Sequence, residues 1–279
     1  MAKKDLVLQR RLKFGIEIEV NDGKHTREEI AQAIRNKGVE AYEEGYNHCT
    51  RNYWKVITDS SCGYEVVSPV LYGMEGLNEL QRVCEALKEV GCEVDVSCGL
   101  HVHHDITDLS FEQVKNIYKI YYKHAEAIEQ ILPISRRLGA RGYAKSLDIH
   151  IMNLIEQART IDELRYYLTD RYWALNFTSY TKYGTIEFRQ HSGTIEFEKM
   201  KNWVLLTHKM IERATSGKKV KEKSQARLEK CNNPKDGYIH RAYDLYTELG
   251  INATEVADFY KERSRNFRTK EGVMWKKGQ

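Results

Sequence analysis

A chain of 279 residues, 41% apolar and 10% aromatic, carries enough apolar surface to bury a full core, which excludes a disordered or collagen-like polymer. No stretch approaches the roughly 18 consecutive apolar residues of a membrane span, so a transmembrane class is excluded as well. The net charge of +4 divides unevenly, because residues 201–279 hold 18 basic and 10 acidic side chains, a balance of +8, and residues 1–200 hold 26 and 30, a balance of −4.

The opening Met1-Ala-Lys-Lys-Asp-Leu-Val-Leu-Gln-Arg-Arg has the positive flank of a signal peptide without its apolar stretch, and a cytoplasmic location is expected. Cys49, Cys62, Cys84, Cys92, Cys98 and Cys231 form no C-x-x-C pair, which argues against a zinc ribbon or a thioredoxin-type site. Reduced, mostly buried thiols are the expectation.

Phe14-Gly-Ile-Glu-Ile-Glu-Val20 alternates apolar and acidic residues with period 2 and predicts a strand with two unlike faces. Thr26-Arg-Glu-Glu29 is a capping box, predicting a helix to about residue 37, stopped by Gly38. Short strands are predicted over 54–58 and 64–67, the second ending at Ser68-Pro69. Leu77, Leu80, Val83, Cys84 and Leu87 fall at helical spacing and predict a helix over 74–89, with Gly91 beyond its end. A strand pair is expected within 92–105. A second capping box, Ser110-Phe-Glu-Gln113, opens a helix predicted to reach residue 132, before Pro133. Residues 134–147 read as an irregular basic loop and 148–168 as a helix. Strands over 172–178 and 185–190 follow, then a helix over 197–214. Residues 216–236, rich in Lys, Glu, Asn and Gly, read as a linker, dividing the chain into a domain over 1–215 and a basic, helical appendage over 216–279. Strands interspersed with helices predict an α+β domain with a mainly antiparallel sheet and helices packed on one side of it.

Alternation in three separate strands carries the chemistry. Glu17 and Glu19 share one face of the first strand and Ile16 and Ile18 the other; His101 and His103 oppose Leu100 and Val102; Glu187, Arg189 and His191 oppose Ile186 and Phe188. If the apolar faces all pack on helices, the other face gathers carboxylates, imidazoles and a guanidinium. Carboxylates so gathered repel one another unless a cation neutralises them, and Mg²⁺ or Mn²⁺ suits a mostly carboxylate set with occasional imidazole better than zinc does. His104 is expected on the opposite face, and Tyr118, Tyr121 and Tyr122 are read as helix packing.

Phe14-Gly-Ile-Glu-Ile-Glu19, Asp59-Ser-Ser, Tyr64-Glu-Val-Val-Ser-Pro69, Cys98-Gly-Leu-His-Val-His103, Arg171-Tyr-Trp-Ala-Leu-Asn176 and Gly184-Thr-Ile-Glu-Phe-Arg-Gln-His-Ser-Gly-Thr194 resemble, in this order, the motifs of the amidoligase family, over residues 12–214. That family belongs to the carboxylate-amine ligases, so the resemblance implies a glutamine synthetase-like fold whose polar sheet face binds metal and ATP. By that resemblance Glu17, Glu19, Glu65, His101 and Glu187 are metal ligands, and His103 contacts nucleotide or substrate. Arg189 is implied to face the transferred phosphoryl group, and Arg171, at the head of its motif, is a further catalytic candidate. Asp59 is the candidate to take the proton of an incoming amine. Arg136, Arg137 and Arg141, with Gly139 and Gly142, either clamp a phosphate or substrate carboxylate or form a basic surface loop. No G-x-x-x-x-G-K-[ST] loop occurs, so nucleotide binding would depend on metals and arginines.

The reading is an ATP-dependent, Mg²⁺- or Mn²⁺-dependent ligase that joins a carboxylate to an amine, each a small molecule or peptide, through an acyl phosphate. Two alternatives stand beside it: a metal-dependent hydrolase using the same cluster, and a non-enzymatic nucleic-acid-binding protein acting through its basic C-terminal region. No coiled-coil or other interface signature indicates an oligomeric state.

Overall fold

The computed structural model describes residues 6–8, 12–21, 23–137 and 142–277, with 269–277 as backbone alone. Two compact units emerge: a sheet unit of Val7–Thr107 and Asn176–Val204, and a helical unit of Asp108–Leu175 and the chain from Leu205 onward.

In chain order the sheet unit begins with β1 (Lys13–Asn21), α1 (Arg27–Asn36), β2 (Ala41–Glu43), β3 (Trp54–Asp59), β4 (Gly63–Val67), β5 (Leu71–Tyr72), α2 (Gly73–Val90) and β6 (Gly99–Asp105). The helical unit follows with α3 (Phe111–Lys123), α4 (Ala125–Glu129), 3₁₀ turns at Ile134–Arg136 and Gly142–Ala144, α5 (Ile149–Gln157) and α6 (Ile161–Tyr167). After β7 (Leu175–Asn176) the chain returns to the sheet unit with α7 (Thr178–Tyr183) and β8 (Thr185–Ser192); α8 (Phe197–Thr215) leads out of it to α9 (Gln225–Cys231), α10 (Gly237–Glu248) and α11 (Glu255–Lys277).

The sheet order is β2-β3-β4-β1-β6-β8-β7, with β5 also paired to β1. β1 runs antiparallel to β4, β5 and β6, as do β3 to β4 and β6 to β8, whereas β2 runs parallel to β3. This is a mixed α/β fold with a mostly antiparallel sheet, as the element pattern predicts.

Both capping boxes form: the Thr26 hydroxyl accepts from the Glu29 N–H at 3.2 Å while the Glu29 carboxylate accepts from the Thr26 N–H at 2.7 Å, and Ser110 and Gln113 repeat the exchange. α2 ends at Gly91, whose φ of 83° is open to glycine at no steric cost. The apolar residues of alternation, Ile16, Ile18, Leu100, Val102, Ile186 and Phe188, are all buried, and Cys84 Sγ of α2 lies 3.5 Å from Met200 Sδ of α8.

Several elements depart from the predicted ones. Residues 92–98 form no strand, because the Asp95 carboxylate accepts from the Ser97 N–H at 2.7 Å and holds a turn, leaving β6 single. The long helix from Ser110 is interrupted at His124 (φ −113°, ψ 11°), which separates α3 from α4. The helix over 148–168 is two, since Thr160 caps a fresh start by accepting from the Glu163 N–H. The strand over 172–178 shrinks to β7. There the Asp170 carboxylate turns the chain by accepting from the Tyr172 N–H at 2.9 Å, and residues 178–183 coil into α7, closed by Gly184 at φ 67°. The stretch 216–236 contains α9, capped by Ser224.

Tyr118 and Tyr121 are buried in the helical unit, and Tyr122 is exposed. None of the six cysteines forms a disulfide, and four are buried. Among the described residues no helix is long and apolar enough to cross a membrane.

Candidate functional site

Strand register decides which polar side chains meet. Glu17 of β1 stands opposite His101 of β6, Glu19 opposite Glu65 of β4, and His103 opposite Glu187 of β8. Residues directly opposite project to the same side of a sheet. Three adjacent cross-strand pairs therefore bring four carboxylates and two imidazoles together. Ligating atoms of Glu17, Glu65 and His101 lie within 4.8 Å of one another, and so do those of Glu17, His103 and Glu187 and those of Glu19, Asp59 and Cys62.

The detailed contacts order this cluster. His101 Nδ1 is 3.0 Å from Glu17 Oε2 and 3.5 Å from Glu187 Oε1, and its Nε2 is 3.5 Å from Glu19 Oε1. His103 Nδ1 meets the Thr185 hydroxyl at 3.1 Å, which leaves Nε2 directed at Glu17 Oε1, 3.4 Å away and without a hydrogen-bond partner. The Gly99 N–H donates to Glu19 Oε2 at 2.5 Å. Arg189 pairs with Glu187, and its buried Nε has no hydrogen-bond partner.

Burial pushes Glu65 well above the usual carboxylate range, and the charges of Glu17, Glu19, Asp59 and Glu187 push it further. Burial acts the same way on Glu17, but the imidazoles of His103 and His101 override it and hold that carboxyl well below its ordinary value. Burial opposes the charged form of His103, yet Glu17 and Glu187 raise its pKa. Arg189 is raised likewise against its burial by Glu187 and Glu17. A partly buried cluster in which the neighbours' charges raise one carboxyl's pKa has the donor set of a divalent cation site, with imidazole beside carboxylate oxygens.

A cavity of about 390 Å³ opens beside Glu17, Glu65 and His103. Part of its wall is the loop 45–52, fixed in three ways. Lys55 Nζ donates to the carbonyls of Asn47 and Cys49 at 3.1 and 2.9 Å; the Tyr183 hydroxyl donates to the His48 carbonyl at 2.8 Å; and Glu44 accepts from Arg51 Nε at 2.8 Å and from the Tyr53 hydroxyl at 2.6 Å. A volume of this size suits a small-molecule ligand.

His191 is a correction. A β-bulge shifts the β6·β8 register, so that Val102 stands opposite Phe188 but Leu100 opposite His191, one residue more on β8 than on β6. The extra residue turns His191 to the apolar side, where it is buried with its ring 5.3 Å from that of Trp203. His104, expected opposite the motif histidines, is buried with its ring 5.7 Å from that of Phe188.

Asp59 closes the β3–β4 hairpin, one oxygen accepting from the N–H groups of Ser61 and Cys62 at 2.7 and 3.0 Å. Burial opposes its ionisation, and these hydrogen bonds nonetheless lower its pKa. Arg171 does not open a strand: it is an exposed turn residue over the ring of Tyr172, 5.0 Å from its centroid, in the helical unit. Arg136, buried at the end of a 3₁₀ turn, belongs to the same unit. Arg137 donates to the Leu132 carbonyl at 3.0 Å, and Arg141 lies outside the described residues.

Sequence reasoning passed over Asn176. Buried in β7, it donates through Nδ2 to Glu187 Oε2 at 2.6 Å and accepts through Oδ1 from the Thr178 N–H at 2.8 Å. Its place at the end of the Arg171–Asn176 motif was the available signal. Lys55, a lone cation in an apolar strand, was another.

A family model described as "Putative amidoligase enzyme" matches residues 10–211. No curated protein sequence matches the chain. Among solved structures, a bifunctional glutathione synthetase from Pasteurella multocida superposes with a TM-score of 0.52 at 12% identity, over 92% of this chain and 48% of that one. At that identity the likeness is one of fold, and the chain spans about half the length of the protein it matches.

Proposed function

The chain belongs to the amidoligase family, and from that premise we propose that it is an ATP-dependent ligase forming an amide between a carboxylate and an amine. The observation that carries the proposal is the convergence of Glu17, Glu65, His101, His103 and Glu187 from four strands onto one partly buried cluster with Arg189 beside it.

Glu17, Glu65 and His101 would hold one divalent cation, Mg²⁺ or Mn²⁺, with Glu19 and Glu187 as further oxygen ligands. His103 Nε2, 3.4 Å from Glu17 Oε1, stands beside the cluster where it would also reach a bound group. When bound, the cations would supply charge neutralisation for a polyphosphate, which a carboxylate cluster by itself repels. Arg189, with an unspent Nε and a carboxylate partner fixing its plane, is suited to a phosphoryl oxygen.

In the reaction a substrate carboxylate oxygen attacks the γ-phosphorus of ATP, the bond to the β-phosphate oxygen breaks, and ADP leaves. The amine nitrogen then attacks the acyl carbon, inorganic phosphate departs, and the amine loses a proton. Asp59, whose pKa is lowered against burial by hydrogen bonds from Ser61 and Cys62, is the proposed acceptor of that proton. Alignment and charge placement are the protein's contribution, because the chemistry itself needs no covalent intermediate on the enzyme.

The test is ADP and phosphate release across a matrix of carboxylates and amines. Release that requires one member of each class, and that is lost in Glu17→Gln and Arg189→Ala proteins with wild-type circular dichroism, is expected. Turnover of an amide or phosphoester without ATP, or full activity in either variant, refutes the proposal.

A further inference from the structure

The helical unit contains a cavity of about 380 Å³ that none of the amidoligase chemistry uses. Its wall is cationic. Lys123, Arg213, Lys218, Lys223 and Arg227 line it against two carboxylates, Asp244 and Glu248, which leaves three positive charges uncompensated. Lys123, Arg213 and Lys223 expose 17, 12 and 13% of their side-chain surface, and Lys218 stands exposed at the rim. Cations crowded into a partly desolvated space repel one another, and an anion relieves that repulsion.

Both carboxylates are already committed. Glu248 takes Lys123 and Arg213, each at 2.5 Å, and Asp244 takes the Arg227 guanidinium, with Nε at 2.8 Å and a terminal nitrogen at 2.6 Å. Lys223 reaches Asp244 only at 4.0 Å, and Lys218 makes no ion pair among the described residues. A second observation points the same way. His124, 1% exposed, lines the cavity with both ring nitrogens lacking a hydrogen-bond partner; Nε2 stands 3.9 Å from Glu248, beyond hydrogen-bonding distance. An exposed and a half-buried ammonium group and a buried imidazole thus line one concavity.

We propose that this cavity is a second binding site, for a small anion bearing a phosphate group. Phosphate presents several oxygens and about two negative charges at neutral pH, which matches the two lysines and the residual charge better than a single carboxylate does. Arg213 and Arg227, each fixed by a carboxylate, shape the wall.

Inorganic pyrophosphate is the probe, titrated calorimetrically into the full chain in EDTA, so that the sheet cluster is free of metal and its carboxylates repel the anion. Saturable binding is expected, weakened at least about ten-fold in Lys218→Glu/Lys223→Glu and unchanged in Glu187→Gln. Acetylation read by mass spectrometry supplies a measure that needs no variant: pyrophosphate is expected to protect Lys218 and Lys223 in the wild-type chain and to leave the exposed Lys261 reactive. Absence of binding, equal affinity in the double variant, no protection of the two lysines, or loss of binding in Glu187→Gln alone overturns the proposal.

Discussion

Replacing Gly99 with alanine probes the metal-site reading with a single methyl group. Gly99 opens β6, and a Cβ built there stands 2.8 Å from His101 Nε2 and 3.3 Å from Glu19 Oε2, where ordinary contact begins at 3.4 Å. The His101 ring must therefore retreat by about 0.6 Å, several times the ~0.2 Å tolerance on metal–ligand distances. Its neighbour Glu19 is disturbed at the same time, since it accepts the Gly99 N–H. Displacing supports of this kind weakens metal binding by about 10–100-fold, equivalent to about 1.4–2.7 kcal/mol. The backbone itself accepts alanine, because Gly99 is not among the glycines at positive φ, so the stability cost is that of local overpacking, about 1–3 kcal/mol. Calorimetric titration of Mn²⁺ into wild-type and Gly99→Ala protein, with thermal unfolding of each without metal, separates the two effects. A folded variant that binds Mn²⁺ within a factor of about two of wild type would refute the assignment of His101 and Glu19 to the metal.

Two further expectations concern stability. Phe188 is fully buried on the apolar side of β8, so Phe188→Ala should cost about 3–5 kcal/mol in urea unfolding, and a loss below about 1 kcal/mol would show that the sheet is not packed there. The guanidinium of Arg51 beside Glu44 holds its carboxyl down to about 2 against the effect of burial, with Tyr53 and Asn47 assisting. That contribution is full above the unfolded carboxyl pKa of about 4.3 and is lost as the pH falls through the folded value, so the wild-type urea midpoint should drop between about pH 4.3 and 2 more steeply than that of Glu44→Gln. Parallel pH profiles for the two proteins would contradict it.

How much of the site the sequence disclosed follows from the range of the rules that govern it. Two-residue alternation is a local property, so the unlike faces of Phe14–Val20 and of Gly99–His103 were legible before any pairing was known. Register is not local. That Glu17 meets His101 and His103 meets Glu187 depends on which strands pair and at what offset, and the β8 bulge turned His191 by adding one residue that no periodicity marks. Helix starts were legible where a hydroxyl and a carboxylate or amide lie three residues apart, as at Thr26 and Ser110. Thr160-Ile-Asp-Glu163 has the same signature and was absorbed into a longer helix because its apolar spacing runs on. β2 and β5, three and two residues long, fall below the length at which alternation can be read at all.

Charge was the least transferable of the sequence readings. Counting along the chain gives an acidic body and a basic tail, yet ion pairing in the helical unit crosses that division: Glu248 of the tail neutralises Lys123 of the body together with Arg213. Part of the surplus is gathered in one place rather than spread over the solvated surface. Four of the tail's cations, Arg213, Lys218, Lys223 and Arg227, line a single concavity, where partial desolvation of Arg213 and Lys223 strengthens their mutual repulsion and their attraction for an anion alike. In the sheet unit the converse holds, with Glu17, Glu19, Glu65 and Glu187 enclosed around an acceptor-rich centre that favours a cation. Net charge per segment describes neither centre, because in each the deciding quantity is the imbalance of charge within a few ångströms in a partly desolvated space.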